Sequence, residues 1–306
     1  MLQYNFSVEL SPPTNPNDIP AYCHKFLKLL HVTHKVCLAS HPVGPIPGFD
    51  RSYNLARYLR SNWPQLQILF HVTCKDLNRV NIRARLTLLK SIHIKRILVI
   101  TGENYMVPEC SEGLHYKSSE QLVRQIKDEF DWFEVVAIAG FPGGKPGYSD
   151  NNEQEVTRLK ERVSLGVGTV YTQCIFSADQ YSHFATALLE EMGSLDVIPS
   201  IALFVDHSSL QKCLRLTRVK TDVHLVQQIE QLSPAEGYSF AKNFLMNLCK
   251  TIRSRHPETE INLCMFGQFD LALDLISEIM DNPCSQNSSR FEGLATDDDG
   301  ICNGLR

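Results

Sequence analysis

The sequence lacks the features of several broad classes of protein. Its 30 Lys and Arg residues are outnumbered by 34 Asp and Glu residues, so no basic excess is available to neutralise nucleic-acid phosphates. No stretch approaches the roughly 20 apolar residues that a membrane span needs, and the N-terminus has no basic segment followed by an apolar core. We therefore expect a cytoplasmic protein with neither a nucleic acid nor a membrane as its partner.

Paired cysteines are also lacking. The ten cysteines form no C-x-x-C pair, which gives no support to a structural zinc site or to a disulfide framework. Several of them, such as Cys37 and Cys264, lie inside apolar runs, where a reduced thiol behaves as a small buried hydrophobe. We expect no bound metal and a reducing compartment.

The usual glycine-rich nucleotide motifs are absent as well. No G-x-G-x-x-G follows the first apolar segment, as a Rossmann dinucleotide site would need. The segment Gly140–Gly147 is rich in glycine but lacks the glycine-lysine-serine/threonine order of a Walker loop, and a proline interrupts the helix that should follow. A plain turn is therefore favoured over a phosphate cradle.

Eight short apolar segments are present, and helical spacing of apolar residues fills most of the intervals between them. This alternation predicts repeated βα units, and eight parallel strands are the number that closes a barrel. A single (β/α)8 TIM barrel over residues 1–280 is favoured over an open doubly wound sheet. The predicted strands are Phe6–Leu10, Lys35–Ala39, Gln67–Val72, Ile97–Ile100, Glu134–Ile138, Val170–Ile175, Val197–Phe204 and Ile261–Phe266.

Helices are predicted between and after these strands, several of them beginning with Ser, Asn or Asp as a cap. They are Asn17–Leu30, Arg51–Ser61, Asn78–Ile92, Ser118–Phe130, Asn152–Leu165, Asp179–Met192, Ser208–Leu216, Pro234–Arg255 and Leu271–Met280. The remaining residues, 281–306, carry the acidic run 297–299 and too little apolar content to pack. We expect them to form a disordered acidic tail.

Polar residues at the predicted strand ends are the candidate site, because chemistry in a (β/α)8 barrel lies at the carboxyl ends of the strands. Glu9 ends the first strand, His71 lies in the third, Thr101 and Glu103 follow the fourth, and Gln173 lies within the sixth. Two carboxylates, an imidazole and an amide in one pocket would suit proton transfer and hydrogen bonding to a heterocycle. The residues alone leave open a second interpretation, in which they are solvated strand ends and a satisfied interior glutamine.

Short motifs follow one another along the chain in a definite order. They are Phe6–Thr14 (FSVELSPPT), His71–Cys74 (HVTC), Ile97–Glu103 (ILVITGE), Ala137–Pro142 (AIAGFP), Arg158–Val163 (RLKERV) with Tyr171–Gln173 (YTQ), and Val197–Pro199 (VIP). This set, over about residues 5–280, resembles the ordered motifs of the methylenetetrahydrofolate reductase family. The stretch from His71 to Glu103 is most similar to the reductase domains that bacteria fuse to homocysteine methyltransferases.

The resemblance implies a flavoprotein of one-carbon metabolism and methionine biosynthesis. Such a protein holds FAD at the strand ends, takes hydride from NADH or NADPH, and reduces 5,10-methylenetetrahydrofolate. Glu9 then stands at the position of the general acid, and Glu103 at that of the acid beside flavin and pterin. The implied cofactor-binding residues are His71, Thr101, Gly102, Glu103, Phe141, Glu155, Arg158 and Arg162, and the implied folate-binding residues are Gln173 and Gln268. A homo-oligomer is compatible with the resemblance.

The chain departs from the family pattern at four places. Glu103 replaces an Asp, Glu161 replaces an Arg near the FAD diphosphate, Lys145 stands where a His is common, and the pair Gly267-Gln268 replaces an Asn-Arg pair. Two hypotheses follow. One is an active flavin-dependent oxidoreductase; the other is a catalytically silent barrel of the same family that binds folate or a nucleotide, or regulates a partner.

Overall fold

The computed structural model of the chain describes residues 5–33, 35–40, 47–102, 113–145 and 147–281. Its centre is a closed barrel of eight parallel strands in chain order, with the last strand paired to the first. The strands are β1 (Phe6–Leu10), β2 (Lys35–Leu38), β3 (Gln67–Thr73), β4 (Arg96–Ile100), β5 (Val135–Gly140), β6 (Thr169–Ile175), β7 (Asp196–Ala202) and β8 (Ile261–Cys264). The predicted TIM barrel is confirmed.

Helices follow the strands. In the described ranges they are α1 (Ile19–Lys25), α2 (Leu27–Thr33), α3 (Gly48–Asn62), α4 (Ile82–Ser91), α5 (Ser119–Glu129), α6 (Asn152–Ser164), α7 (Ala178–Met192), α8 (His207–Thr217), α9 (Val223–Glu230), α10 (Pro234–Arg255) and α11 (Phe269–Asp281), with a 3-10 turn at Pro16–Asp18. Within these ranges, every helix is too short or too polar to cross a membrane. The predicted tail, residues 281–306, lies outside the described residues except for Asp281, which ends α11.

Two predicted elements differ from the structure for a local reason, and one helix was not predicted. The single helix predicted over Asn17–Leu30 is wrong, because the buried Phe26 has non-helical angles (φ −119°, ψ 19°) and separates α1 from α2. The helix α9 was not predicted at all. The strand predicted over Ile261–Phe266 ends at Cys264, because Phe266 has a φ of 47° that leaves the extended conformation.

Side chains along each strand alternate between the barrel interior and the layer facing the helices. The helix-facing side chains form the large apolar core. A small interior layer consists of Cys37, Leu69, Leu98, Ala137, Tyr171 and Ile198. Residues two positions farther along, including His71, therefore belong to the interior side at the carboxyl end of the barrel.

The amino end of the barrel is closed by a polar cluster. Nζ of Lys35 lies 2.6 Å from Oε2 of Glu260, and the hydroxyl of Tyr171 donates to the other oxygen of Glu260 at 3.4 Å. Arg96 also lines this point, and the remaining cavity of about 10 Å³ has room for a single water at most. A ligand therefore has to enter the barrel from the carboxyl end.

Candidate active site

Glu9 and His71 meet at the carboxyl end of the barrel. Oε2 of Glu9 lies 4.0 Å from Nε2 of His71, with 23% of the Glu9 side chain and 8% of the His71 side chain exposed. The carboxyl group is thus accessible to a ligand, whereas the imidazole is almost enclosed. A carboxyl group beside an imidazole can deliver and recover a proton.

Two residues of β8 hold Glu9 in place, and the sequence analysis did not identify either of them as a site residue. Sγ of Cys264 lies 3.7 Å from Oε2 of Glu9 and donates to it. Nδ2 of Asn262 donates to Sγ of Cys264 at 3.8 Å and to Oγ of Ser200 at 3.1 Å, while Oδ1 of Asn262 accepts from Oγ of Ser7 at 3.2 Å. The available signal was the polar Asn262 and Ser200 inside otherwise apolar strands. Cys264 gave none, since its surroundings indicated a buried hydrophobe.

Gln173 is half-buried near the carboxyl end of β6. Its Oε1 accepts from the backbone N–H of Cys174 at 2.9 Å. The register between β6 and β7 shifts between Tyr171 and Cys174, and the freed N–H of Ser200 donates to Oγ1 of Thr172 at 2.9 Å. Among the described residues, no hydrogen bond engages the amide nitrogen of Gln173, which leaves a donor for a ligand.

The loops after β4 and β5 begin at the same carboxyl end of the barrel, which we call the mouth. Thr101 and Gly102 are half-buried, and Gly102 has a φ of +94°, a backbone conformation that side chains rarely adopt. Phe141 follows β5 directly and is also half-buried. Glu103 lies outside the described residues, so its place in the mouth stays a prediction.

Glu155 is fully buried on α6 and fixes the loop after β5 to that helix. Its Oε1 accepts from the backbone N–H of Phe141 at 3.0 Å, and its Oε2 accepts from Oγ of Ser149 at 2.8 Å. Nε of Arg158 donates to the same Oε2 at 2.7 Å, and a second Arg158 nitrogen donates to Oε1. The sequence analysis did not identify Ser149 as a site residue, because a serine in a turn carries no sequence signal of its own.

Lys145 lies at the edge of this network, beside two aromatic rings. Its Nζ is 5.3 Å from the ring centre of Phe141 and 4.2 Å from that of Tyr148. The guanidinium of Arg158 lies 5.8 Å from the same Phe141 ring. Burial, followed by repulsion from Arg158, lowers the pKa of Lys145 to about 8.

Arg162 adds a third cation on α6. It is 7% exposed, and it donates to Oγ of Ser119 at 3.2 Å and to the carbonyl of Arg158 at 2.5 Å. Glu155 forms an ion pair with Arg158, and the carboxylates of Glu120 and Glu161 also act on Arg162. Within the group itself, three cations face one carboxylate. The cluster of Lys145, Arg158, Arg162 and Glu155, the α6 cluster, therefore has a surplus of positive charge.

The glycine-rich loop is a turn, in agreement with the prediction. The N–H of Gly143 donates to Oδ1 of Asn152 at 2.6 Å, and that of Gly144 donates to the carbonyl of Phe141 at 2.9 Å. The N–H of Lys145 donates to Oγ of Ser149 at 2.6 Å. These three donors are used inside the protein, so an anion would be bound here by the side chains of the α6 cluster.

Gln268 lies at the rim, at the start of α11. It lines a cleft of about 450 Å³ together with Lys25 of α1 and Tyr238 of α10. Its backbone N–H donates to the carbonyl of Met265 at 2.7 Å. The described residues show no contact between Gln268 and Glu9, so any shared ligand would have to extend from the mouth to this cleft.

Fold and site define a (β/α)8-barrel protein whose mouth combines a carboxyl–imidazole pair with a cationic cluster. The family to which it belongs follows from a direct match: the methylenetetrahydrofolate reductase family model covers residues 2–279, and the chain belongs to that family. The resemblance inferred from the ordered motifs is thereby confirmed.

Relatives by sequence are distant. A probable methylenetetrahydrofolate reductase (NADPH) from Caenorhabditis elegans is 22% identical over 235 residues, which is 75% of this chain and 35% of the relative. A probable methylenetetrahydrofolate reductase (NADH) from Oryza sativa subsp. japonica is 18% identical over 243 residues, or 76% of this chain and 40% of the relative. The matched regions span about a third of the length of these curated relatives.

A similar solved structure is a protein from Clostridium thermocellum that binds two copies of 5-methyl-5,6,7,8-tetrahydrofolic acid. It aligns with a TM-score of 0.63 at 10% identity and covers 90% of this chain and 96% of its own. At that identity the likeness shows the fold alone.

Proposed function

We propose that this protein is a flavin-dependent oxidoreductase that reduces 5,10-methylenetetrahydrofolate with NADH or NADPH. The observation that carries the proposal is the accessible carboxyl group of Glu9 beside His71, in the mouth of a barrel of this family. The names of the relatives, which include NADPH and NADH enzymes, and the folate bound by the Clostridium thermocellum protein support the same chemistry.

The residues present fit FAD. The surplus positive charge of the α6 cluster suits a diphosphate, and Glu161, the acidic replacement on the same helix, is exposed, where water screens its charge. Half-buried Ile100 and Ala139 lie two residues beyond members of the apolar interior layer and would offer apolar contacts to a planar ring. Bound FAD would accept hydride from the nicotinamide and supply it to the folate. Its proposed contacts are Lys145, Arg158 and Arg162 of the α6 cluster with His71, Thr101, Gly102, Glu103 and Phe141. Glu155, fully buried with both oxygens engaged, would take part in FAD binding by holding Arg158 and the N–H of Phe141 in place.

Glu9 is the proposed proton donor. Opening of the five-membered folate ring needs a proton on the departing nitrogen, and Glu9 has the accessible carboxyl group to deliver it. His71, 4.0 Å away, can return a proton to Glu9 after each turnover. The amide of Gln173 would donate to the folate heterocycle, and Gln268, in the rim cleft, would contact the distal part of the substrate.

A second candidate is a catalytically silent barrel of the same family that binds folate or a nucleotide, or regulates a partner. The replacement of the Asn-Arg pair by Gly267-Gln268 favours it, because a cation that helps to hold the folate is lost. The visible absorption spectrum of the purified protein separates the candidates. Flavin bands, with FAD identified after release, support the oxidoreductase; a colourless protein that takes up no added FAD supports the silent barrel.

Lys145 should make FAD binding depend on pH. The amine is charged below its pKa of about 8 and neutral above it, so a diphosphate loses one favourable charge as the pH rises from 8 upward. We expect the dissociation constant to increase over that range. In Lys145→Gln this increase should disappear, and binding at pH 7 should be about tenfold weaker.

Fluorescence titration of apoprotein with FAD between pH 7 and 9.5 measures both effects. The control is Lys160→Gln, since Lys160 is an exposed lysine of the same helix, 61% exposed and paired with Glu191. It should bind as the wild type does. A wild-type affinity that stays constant across this pH range would show that Lys145 does not contact the diphosphate.

A further inference from the structure

The Glu9 carboxyl group is held from β8 by a directed chain of hydrogen bonds. Asn262 has donors only on Nδ2, which it gives to Oγ of Ser200 at 3.1 Å and to Sγ of Cys264 at 3.8 Å. The sulfur therefore accepts from Asn262 and points its own S–H at Oε2 of Glu9, 3.7 Å away. Oγ of Ser7 donates to Oδ1 of Asn262 at 3.2 Å and fixes the orientation of the amide.

The Cys264 thiol keeps its proton. The pKa of Cys264 lies well above that of an ordinary thiol because of its contact with the side chain of Cys174, followed by burial and the nearby carboxylate of Glu9. The same burial makes Cys264 a poor nucleophile, so it is a donor rather than a reactive group. It is 5% exposed, which keeps water away from the S–H bond.

We propose that Cys264 is a positioning residue for Glu9, which occupies Oε2 and thereby assigns Oε1 to the substrate. Among the described residues no hydrogen bond engages Oε1. A carboxyl group with two equivalent free oxygens can rotate between them, whereas one oxygen tied to β8 presents the other in a single orientation. This assignment rests on the proposed function for the identity of the substrate, but the hydrogen bond itself can be tested without it.

Folate reduction is the first readout, measured as the maximal rate and the KM for the folate. Without the S–H donor, Oε2 of Glu9 is no longer tied to β8, and Oε1 loses its fixed orientation toward the substrate. We expect the maximal rate of Cys264→Ala to fall about tenfold, with the KM for the folate within about twofold of the wild-type value.

Two further variants bracket this result. Cys264→Ser keeps a donor and should restore most of the maximal rate. Cys213→Ala is the matched control: Cys213 is a buried thiol that donates to the Leu203 carbonyl at 3.6 Å, in the helix-facing layer. It should leave the maximal rate and the KM unchanged. A maximal rate of Cys264→Ala equal to that of the wild type would overturn the proposal.

Infrared spectroscopy of the S–H stretch is the second readout and needs no activity. The difference between the wild type and Cys264→Ala isolates the Cys264 band, and the same difference in a Glu9→Ala background isolates it without its acceptor. We expect the band to move when the acceptor is removed. An unmoved band disproves the hydrogen bond even if the protein reduces folate; a moved band in a protein without flavin upholds the hydrogen bond while the proposed function fails.

Discussion

Glu9→Gln is expected to lose most folate reduction, by about 10²–10⁴-fold in rate, while it retains FAD and still oxidises NAD(P)H with an artificial quinone acceptor. The substitution keeps the shape of the side chain and removes the proton that the departing folate nitrogen needs. Acceptance of hydride from the nicotinamide requires no such acid, so the two activities should separate in this variant.

Parallel assays of NAD(P)H oxidation with methylenetetrahydrofolate and with the quinone measure the separation. The control is Glu134→Gln at the amino end of the barrel, where the side chain is 61% exposed and paired with Lys95. It should retain both activities. If Glu9→Gln reduces folate at the wild-type rate, Glu9 is a structural strand-end residue and the catalytic assignment is wrong.

The second large effect is expected on stability. Glu155→Gln should lower the free energy of unfolding by about 3 kcal/mol, because it leaves the Arg158 guanidinium without its ion-pair partner inside the protein. Glu155 is fully buried and Arg158 is 16% exposed, so water can compensate for only part of the loss. The loop after β5 should loosen as well, since the N–H of Phe141 loses a charged acceptor.

Urea unfolding followed by circular dichroism measures this loss. Glu161→Gln, which changes an exposed carboxylate of the same helix, is the matched control and should alter the free energy of unfolding by less than about 0.5 kcal/mol. Equal unfolding midpoints for Glu155→Gln and Glu161→Gln would show that the buried ion pair contributes nothing to the fold.

The strands were predictable because parallel strands covered on both faces read as continuous apolar runs. The strand β1 was predicted to the residue, and the others to within one or two residues at each end. The failures have local causes in tertiary contacts. Phe26 interrupts a segment of good helical spacing because its ring stacks on Phe269 of α11, with ring centres 5.6 Å apart, a contact that no local pattern contains.

The sequence by itself determined the barrel, the family and the strand-end positions of Glu9, His71 and Gln173, because hydrophobic periodicity and ordered motifs are local properties. Only the tertiary structure decided what these residues touch. Glu9 and Cys264 are 255 positions apart and come together because β8 closes the barrel against β1. The surplus charge of the α6 cluster likewise depends on which cations pack around Glu155. Contacts of this kind depend on barrel closure and side-chain packing, which local patterns in the sequence do not reveal.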